Sequence, residues 1–250
     1  DVGSHHSFIR YDYDATGDLA TVIDALGKPY CFAYEAHRMV RHTDRNGLSF
    51  YYAYEPNGED WRVEHAWGDG GLYDYRFAYF DAIHERRITD SLGHVSVVKL
   101  DENGLPINEL DPLGGITIYE YDDCGRTSAV VDPAGRRTEY AYDERGNLLK
   151  LTRPDGSSVE TTFNAANKAI RITDPNGAAW QQSWDASGLL LSQTTPLGYV
   201  SRYEYDSHGQ LTAHINPRGA RTGLAYDAHG NLVQIDNALG HRTRFAFDSL

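Results

Sequence analysis

The sequence predicts an all-β fold: a repetitive antiparallel β-meander of about twelve two-stranded, 21-residue units, in a sheet wide enough that it must curl. Three observations predict it. A marker dipeptide recurs in phase along the chain, each period holds two turn signatures, and what remains between the turns is too short for a helix.

The marker is an apolar, usually aromatic, residue followed by an acid or amide. Leu100-Asp101, Tyr121-Asp122, Tyr142-Asp143, Phe163-Asn164, Trp184-Asp185, Tyr205-Asp206, Tyr226-Asp227 and Phe247-Asp248 stand 21 residues apart at every step. Upstream it continues as Tyr13-Asp14, Tyr34-Glu35 and Tyr54-Glu55 at steps of 21 and 20, then slips by 26 to Phe80-Asp81 and rejoins the series after 20. Self-similarity at a fixed period is the signature of a repeat architecture.

The first turn of each unit starts at the acid, as in Asp143-Glu144-Arg145-Gly146, where a carboxylate can cap its own turn and glycine can take the left-handed conformation. The second lies ten residues later, as in Asp111-Pro112-Leu113-Gly114, Asp132-Pro133-Ala134-Gly135 and Asp174-Pro175-Asn176-Gly177. Asp or Asn first, Pro second and Gly fourth are type I turn preferences. Six of the nine prolines occupy that second position, so proline here is turn chemistry.

Between turns the residues alternate with period two. Thr138, Tyr140 and Tyr142 share one face, and Glu139 and Ala141 share the other. Strand, turn, strand and turn fill the period. Roughly two dozen strands at about 4.8 Å would span on the order of 115 Å, and open twisted sheets rarely exceed about ten strands without curling or closing. Marker aromatics at the same height form rows across such a sheet, and each cross-strand pair contributes roughly 0.2–1 kcal/mol.

Composition agrees. Aromatics reach 12%, 18 of them tyrosines, which suits a pleated, half-buried surface. The formal charge of −13 repels phosphate backbones, which argues against nucleic acid as a partner. No stretch is long and apolar enough to span a membrane as a helix, and the first residues lack a signal-peptide pattern. Cys31 and Cys124 are too few for a disulfide framework and, being more than four units apart, are expected to be free thiols.

Aromatic-Asp, x-x-Gly and the Asp-Pro-x-Gly turn at this spacing closely resemble the tyrosine-aspartate (YD) repeats of the Rhs proteins, also present in teneurins and in BC subunits of insecticidal toxin complexes. Residues 140–148 and 203–211 carry it most clearly, and it covers about residues 8–248. The resemblance implies a β-spiral shell around a C-terminal toxin domain. It also implies export from a bacterium, in several members by type VI secretion. Partners would then be other segments of the same Rhs protein, its toxin domain and secretion-apparatus proteins.

Residues 1–250 read as a single YD-repeat array, a segment of a longer chain, with 59–80 as an irregular expanded unit. An uncapped final strand, about 242–247, is expected to favour edge-to-edge self-association. In the irregular unit, both the Trp61–Trp67 strand and the strand with Tyr73, Tyr75, Phe77 and Tyr79 are expected to be long. They would project a hairpin whose unpartnered Trp61 and Trp67 contact another part of the protein, or else the two tryptophans fold back onto their own sheet. Arg38, His84 and Asn167 stand where the first turn expects glycine.

The sequence assigns no catalytic, cofactor-binding or metal residue, so a non-enzymatic protein without cofactors is expected. His37, His208 and His229 fall at exposed turn positions, and the aspartates lack the nine-residue period of calcium-binding β-rolls. Asp-Pro-x-Gly recurs in phase, which reads as turns and not as a self-cleavage segment. The alternative function is an extracellular adhesion or carbohydrate-binding module, since flat aromatics can stack on sugars.

Overall fold

In the regular units a strand is five or six alternating residues bounded by a five-residue loop, and the loop is the same at both ends of the unit. In the first turn, Gly146 N–H donates to the Asp143 carbonyl (3.1 Å) and Asp143 N–H to the Asn147 carbonyl (3.0 Å). Asp143 Oδ1 accepts the N–H groups of Arg145 and Asn147, both at 2.9 Å. In the second turn, Asp174 Oδ1 accepts Asn176 and Ala178 N–H at the same distances. This is a type I turn followed by a left-handed residue, which reverses a hairpin in three residues. Gly146 meets that demand with φ of 87°.

The computed structural model describes residues 8–247. Contacts divide them into two units, one of residues 8–119 with 132–134 and one of residues 120–131 with 135–247. The fold is an all-β antiparallel sheet of 23 strands.

The first unit contains β1 (Ile9–Tyr13), β2 (Leu19–Asp24), β3 (Pro29–Glu35), β4 (Arg38–Thr43), β5 (Ser49–Asn57), β6 (Asp60–Gly68), β7 (Tyr75–Phe80), β8 (Glu85–Thr89), β9 (Val95–Leu100), β10 (Pro106–Leu110) and most of β11 (Ile116–Tyr121). Each pairs antiparallel with its sequence neighbour.

The second unit holds β12 (Thr127–Val131), β13 (Arg137–Tyr142), β14 (Leu148–Thr152), β15 (Ser158–Phe163), β16 (Ala169–Thr173), β17 (Ala179–Trp184), β18 (Leu190–Thr194), β19 (Val200–Tyr205), β20 (Leu211–Ile215), β21 (Arg221–Tyr226), β22 (Leu232–Asp236) and β23 (Arg242–Arg244). Its ladder is likewise sequential.

In the regular units register slips once, at the marker aromatic, whereas the Phe80 hairpin of β7 and β8 runs without a slip. Ala141 faces Lys150 but Tyr142 faces Leu148, leaving Leu149 as an extra residue, and the same bulge recurs at Phe163, Trp184, Tyr205 and Tyr226. A bulge bends its strand and raises the local twist. The slip therefore places one bend in each 21-residue period.

The two faces differ. On β13, Thr138, Tyr140 and Tyr142 are half-buried while Arg137, Glu139 and Ala141 are exposed. On the charged face Arg137 bridges Glu120 at 2.6 Å and Lys150 bridges Glu160 at 2.8 Å. Among the described residues only Ala129 and Ala213 form a fully covered apolar core, and no large side chain is completely buried. Tyr142 is thus half-buried, because the sheet has no second layer over its aromatic face within the described residues.

Two local expectations are corrected. Arg38 does not take the glycine position but begins β4, because that turn has two residues, Ala36 (φ 47°) and His37 (φ 64°), both left-handed as a type I′ hairpin requires. His84 and Asn167 do replace glycine, with φ of 51° and 57°. In the expanded unit the long pair is β5 and β6, nine residues each, turning at Gly58-Glu59. β7 has an ordinary six residues, and Tyr73, with φ of 48°, lies outside it. The alternating aromatics overstate β7 because a left-handed residue cannot continue a strand.

Candidate functional site

Period-two alternation fixes which side chains share a face, and cross-strand pairing fixes which are neighbours. On β3 to β6, Ala33, Arg41, Tyr51 and Trp67 stand directly opposite one another, giving a row of four. Glu35 is two residues from Ala33 and opposite Arg38, and Ala53 is two from Tyr51 and opposite His65. The alanines leave a floor between larger neighbours. The result is an open groove of about 800 Å³, which Trp61 also lines.

Its far wall is braced. Tyr51 and His65 stack on either hand of Trp67, with centroids 5.5 and 4.1 Å away. The Tyr51 hydroxyl donates to Asp69 Oδ1 at 2.9 Å, Ser49 N–H donates to Asp69 Oδ2 at 2.8 Å, and His65 Nε2 lies 2.7 Å from Asp74 Oδ1. Two carboxylates thereby fasten the loop between β6 and β7 onto the sheet. The Arg38 guanidinium sits 4.1 Å from the Trp61 ring centroid. Of the two readings of Trp61 and Trp67, the unpartnered one is corrected and packing on their own sheet is seen: rings flank Trp67 and a cation lies over Trp61. Trp61 still exposes 46% of its surface.

The histidines divide by position. His37 Nδ1 lies 3.0 Å from Asp18 Oδ1, and that hydrogen bond, with the Asp18 charge, raises its pKa. His208 and His229 are exposed at their turns. His42 stacks on Phe50 and Tyr30, and His214 on Tyr203, so these two are packing groups. Among the described residues no cluster of three or more metal-ligating side chains occurs. Among them, too, no helix is long and apolar enough to cross a membrane. Cys31 and Cys124 are free.

A further set of polar groups escaped sequence reasoning. Tyr226 and Tyr205 donate their hydroxyls to the carbonyls of Leu211 and Leu190 (both 3.0 Å), and Trp184 Nε1 donates to Ala169 (2.7 Å). In the first unit Tyr54 donates to Met39 and Tyr79 to Val63, both at 2.7 Å. Each acceptor is the residue opposite the preceding marker aromatic at its bulge. Burial pushes the pKa of Tyr54, Tyr79 and Tyr205 up, which keeps those hydroxyls protonated and donating. The signal was the invariant 15- or 16-residue offset, but it means nothing until the bulge is known.

Turns are also clasped to their successors. Arg126 donates to the Asp143 carbonyl (2.7 Å), Arg145 to that of Ala165 (2.9 Å), and Asn147 to the Asn167 side chain (2.9 Å). The second-turn row carries bare apolar tips instead, Leu113 at 97% exposure among them.

In comparisons with known proteins, no curated protein matches the chain. Solved structures of similar fold include TcdB2-TccC3-Cdc42 (TM-score 0.70, 15% identity, 91% of this chain and 14% of that one). TcdB2-TccC3 without its hypervariable C-terminal region matches with a TM-score of 0.68 at 16% identity, over 91% and 14% of the two chains. The Photorhabdus luminescens Tc holotoxin pore matches with a TM-score of 0.53 at 12% identity, over 91% and 17%. This chain therefore spans only about one seventh of the first two. The RHS Repeat model matches residues 13–49, and the Teneurin YD-shell model matches residues 115–249. That second span is more than half of the sequence and coincides with the regular bulged hairpins from β11 onward, so the chain belongs to the Teneurin YD-shell family.

Proposed function

We propose that this chain is a wall segment of a non-enzymatic repeat shell that carries a C-terminal toxin domain and is exported from a bacterium, with type VI secretion as the route. The observation that carries the reading is the lack of a filled interior among the described residues, whose 23 strands cover only two alanines completely. A sheet with one charged face and one half-covered aromatic face suits a partition more than a body with its own centre. Family membership and the fold likeness to TcdB2-TccC3 support it. All 250 residues act in this reading as a single array, with the 59–80 unit as a local elaboration. Its partners are other segments of the same protein, the toxin domain and components of the secretion apparatus.

On the aromatic face of β3 to β5 packing is favoured over sugar binding, because rings there stack on one another, as Tyr30 does on Phe32 at 5.1 Å and His42 on Phe50 at 5.2 Å. The test is limited proteolysis of the full-length protein with a reporter fused at the toxin position. A shell shields the reporter until the repeats are unfolded. Cleavage of the reporter at the rate of the free domain, with the repeats still folded, would overturn the reading.

A further inference from the structure

The charged face changes character on β9 to β11. Where β13 carries Arg137 and Glu139, β11 carries Ile116 and Ile118 one 21-residue period earlier, and β9 carries Val95 and Val97 one period before those. Register sets two rows across the strands: Val97 faces Leu110, which faces Ile116, and Lys99 faces Asn108, which faces Ile118. Ile116 and Ile118 expose 50% and 40% of their surface over an open groove of about 550 Å³. The hairpin of β13 and β14 holds without aliphatic residues there, and an exposed apolar patch marks an interaction site. β8 closes one end of the groove with charge, Arg87 opposite Val97 and Glu85 opposite Lys99. Arg87 Nε lies 2.8 Å from Glu85 Oε1, and no carboxylate among the described residues forms an ion pair with Lys99. One carboxylate against two cations leaves that end positive, on a chain whose net charge is −13.

We propose that this groove docks an amphipathic helix of a partner protein, one with an aliphatic stripe for the two rows and carboxylates beside it that meet Arg87 and Lys99. The ladder decides for a helix. β8 to β11 use their N–H and C=O groups on one another, so a chain lying on their face finds no backbone partner there and must satisfy its own groups, as a helix does. Residues at i, i+3, i+4 and i+7 of a helix form one apolar stripe, which covers Val97, Leu110, Ile116 and Ile118 without burying an unpaired backbone group. The described residues hold no α-helix, so a second copy of them does not supply the occupant. Charge then selects among helices: carboxylates beside the stripe gain charge-assisted hydrogen bonds from Arg87 and Lys99, and lysines there are repelled. The site lies within the first unit and does not depend on the shell reading.

The test is selection against the whole protein from a display library in which the surface positions of one helix of a stable three-helix scaffold are randomised. Selected helices should carry aliphatic residues at i, i+3 or i+4, and i+7, with Asp or Glu beside them. Ile116→Arg and Ile118→Glu bring into β11 the residues that β13 carries at the same positions, so the sheet accommodates them. Each should weaken binding of a selected helix about tenfold or more by fluorescence polarisation. Lys99→Gln, or exchange of the helix's carboxylates for lysines, should weaken it severalfold, while Arg202→Gln in the second unit should not change it. Thermal melts confirm that each variant is folded, and Ile116→Thr replaces Ile116→Arg if the latter is not. No selected helix, selected helices without an acidic flank, or binding unaltered by the β11 variants would each overturn the proposal. So would a dimer of the unliganded protein that Ile116→Arg dissolves in sedimentation velocity, which would give the face to a second copy. Shielding of the toxin reporter is measured without any added helix, so failure here leaves that result untouched.

Discussion

The Tyr226 hydroxyl donates to the Leu211 carbonyl, and Leu211 stands opposite Tyr205, the ring one repeat earlier, whose own hydroxyl reaches Leu190. Each rung ends where the next begins. A bulge takes its strand out of the regular ladder, and the aromatic donor from the following repeat satisfies the carbonyl there.

Phe163 has the ring of the series but no donor, so removing and adding hydroxyls should have opposite effects. Tyr205→Phe should cost about 0.5–1.5 kcal/mol, and Phe163→Tyr, aimed at Leu148, should gain a similar amount or less. Denaturant midpoints read both. A neutral Tyr205→Phe would mean that the rung is geometric coincidence.

Acid should loosen the turns. The Asn147 side chain on Asp143, Gln210 N–H on Asp206 and Asn231 N–H on Asp227 hold those carboxyls below the ordinary value of 3.8. Their contribution is complete above the unfolded value and is lost as pH falls through the lower, folded one. Asn164 makes the same cap without a titrating group, accepting from Ala166 and Lys168. The triple variant Asp143→Asn, Asp206→Asn, Asp227→Asn should therefore shift acid unfolding to lower pH. An unchanged acid transition by circular dichroism would refute the cap's share in it.

Because Tyr142 is half-buried, Tyr142→Ala should cost about 1–2 kcal/mol, less than the roughly 3–5 of a ring in a closed core. His229→Ala at its exposed turn should stay within about 0.5 kcal/mol. Equal losses in urea would reverse the assignment of faces.

Ala36 has no side-chain partner to lose and a φ of 47° that L-residues resist. Ala36→Gly should stabilise by about 0.5–1 kcal/mol, measured as a raised melting temperature. A fall would show that the left-handed turn is not strained.

Cys124 is exposed at a turn and Cys31 is half-covered on β3. Alkylation of the native protein should label Cys124 first, with both sites labelled after unfolding. An intramolecular bridge in non-reducing mass spectrometry would contradict this.

The turns were legible because their chemistry is local: Asp143, Gly146 and Pro175 impose backbone angles wherever they stand. The marker period located β13 to β22 for the same reason. What stayed hidden depends on pairing. Nothing in Leu148-Leu149-Lys150 announces which leucine is extra, and the rung from Tyr205 to Leu190 exists only after the bulge is placed. The two-residue turn at Ala36-His37 carries neither glycine nor asparagine, so its type I′ geometry left no mark. The groove around Arg41 was hidden likewise, since Ala33, Arg41, Tyr51 and Trp67 become one row only through three successive registers.

The β5–β6 hairpin runs on to Asn57 and Asp60 while its flanks keep the pairs Arg41↔Tyr51 and His65↔Arg76. Like a comb with one long tooth, the array lets a repeat lengthen at its free end while its root stays in line with the rest. Gly58-Glu59 is thus a natural grafting point. A foreign loop spliced there would be displayed beyond the margin of the sheet, and the neighbouring hairpins would keep their threading.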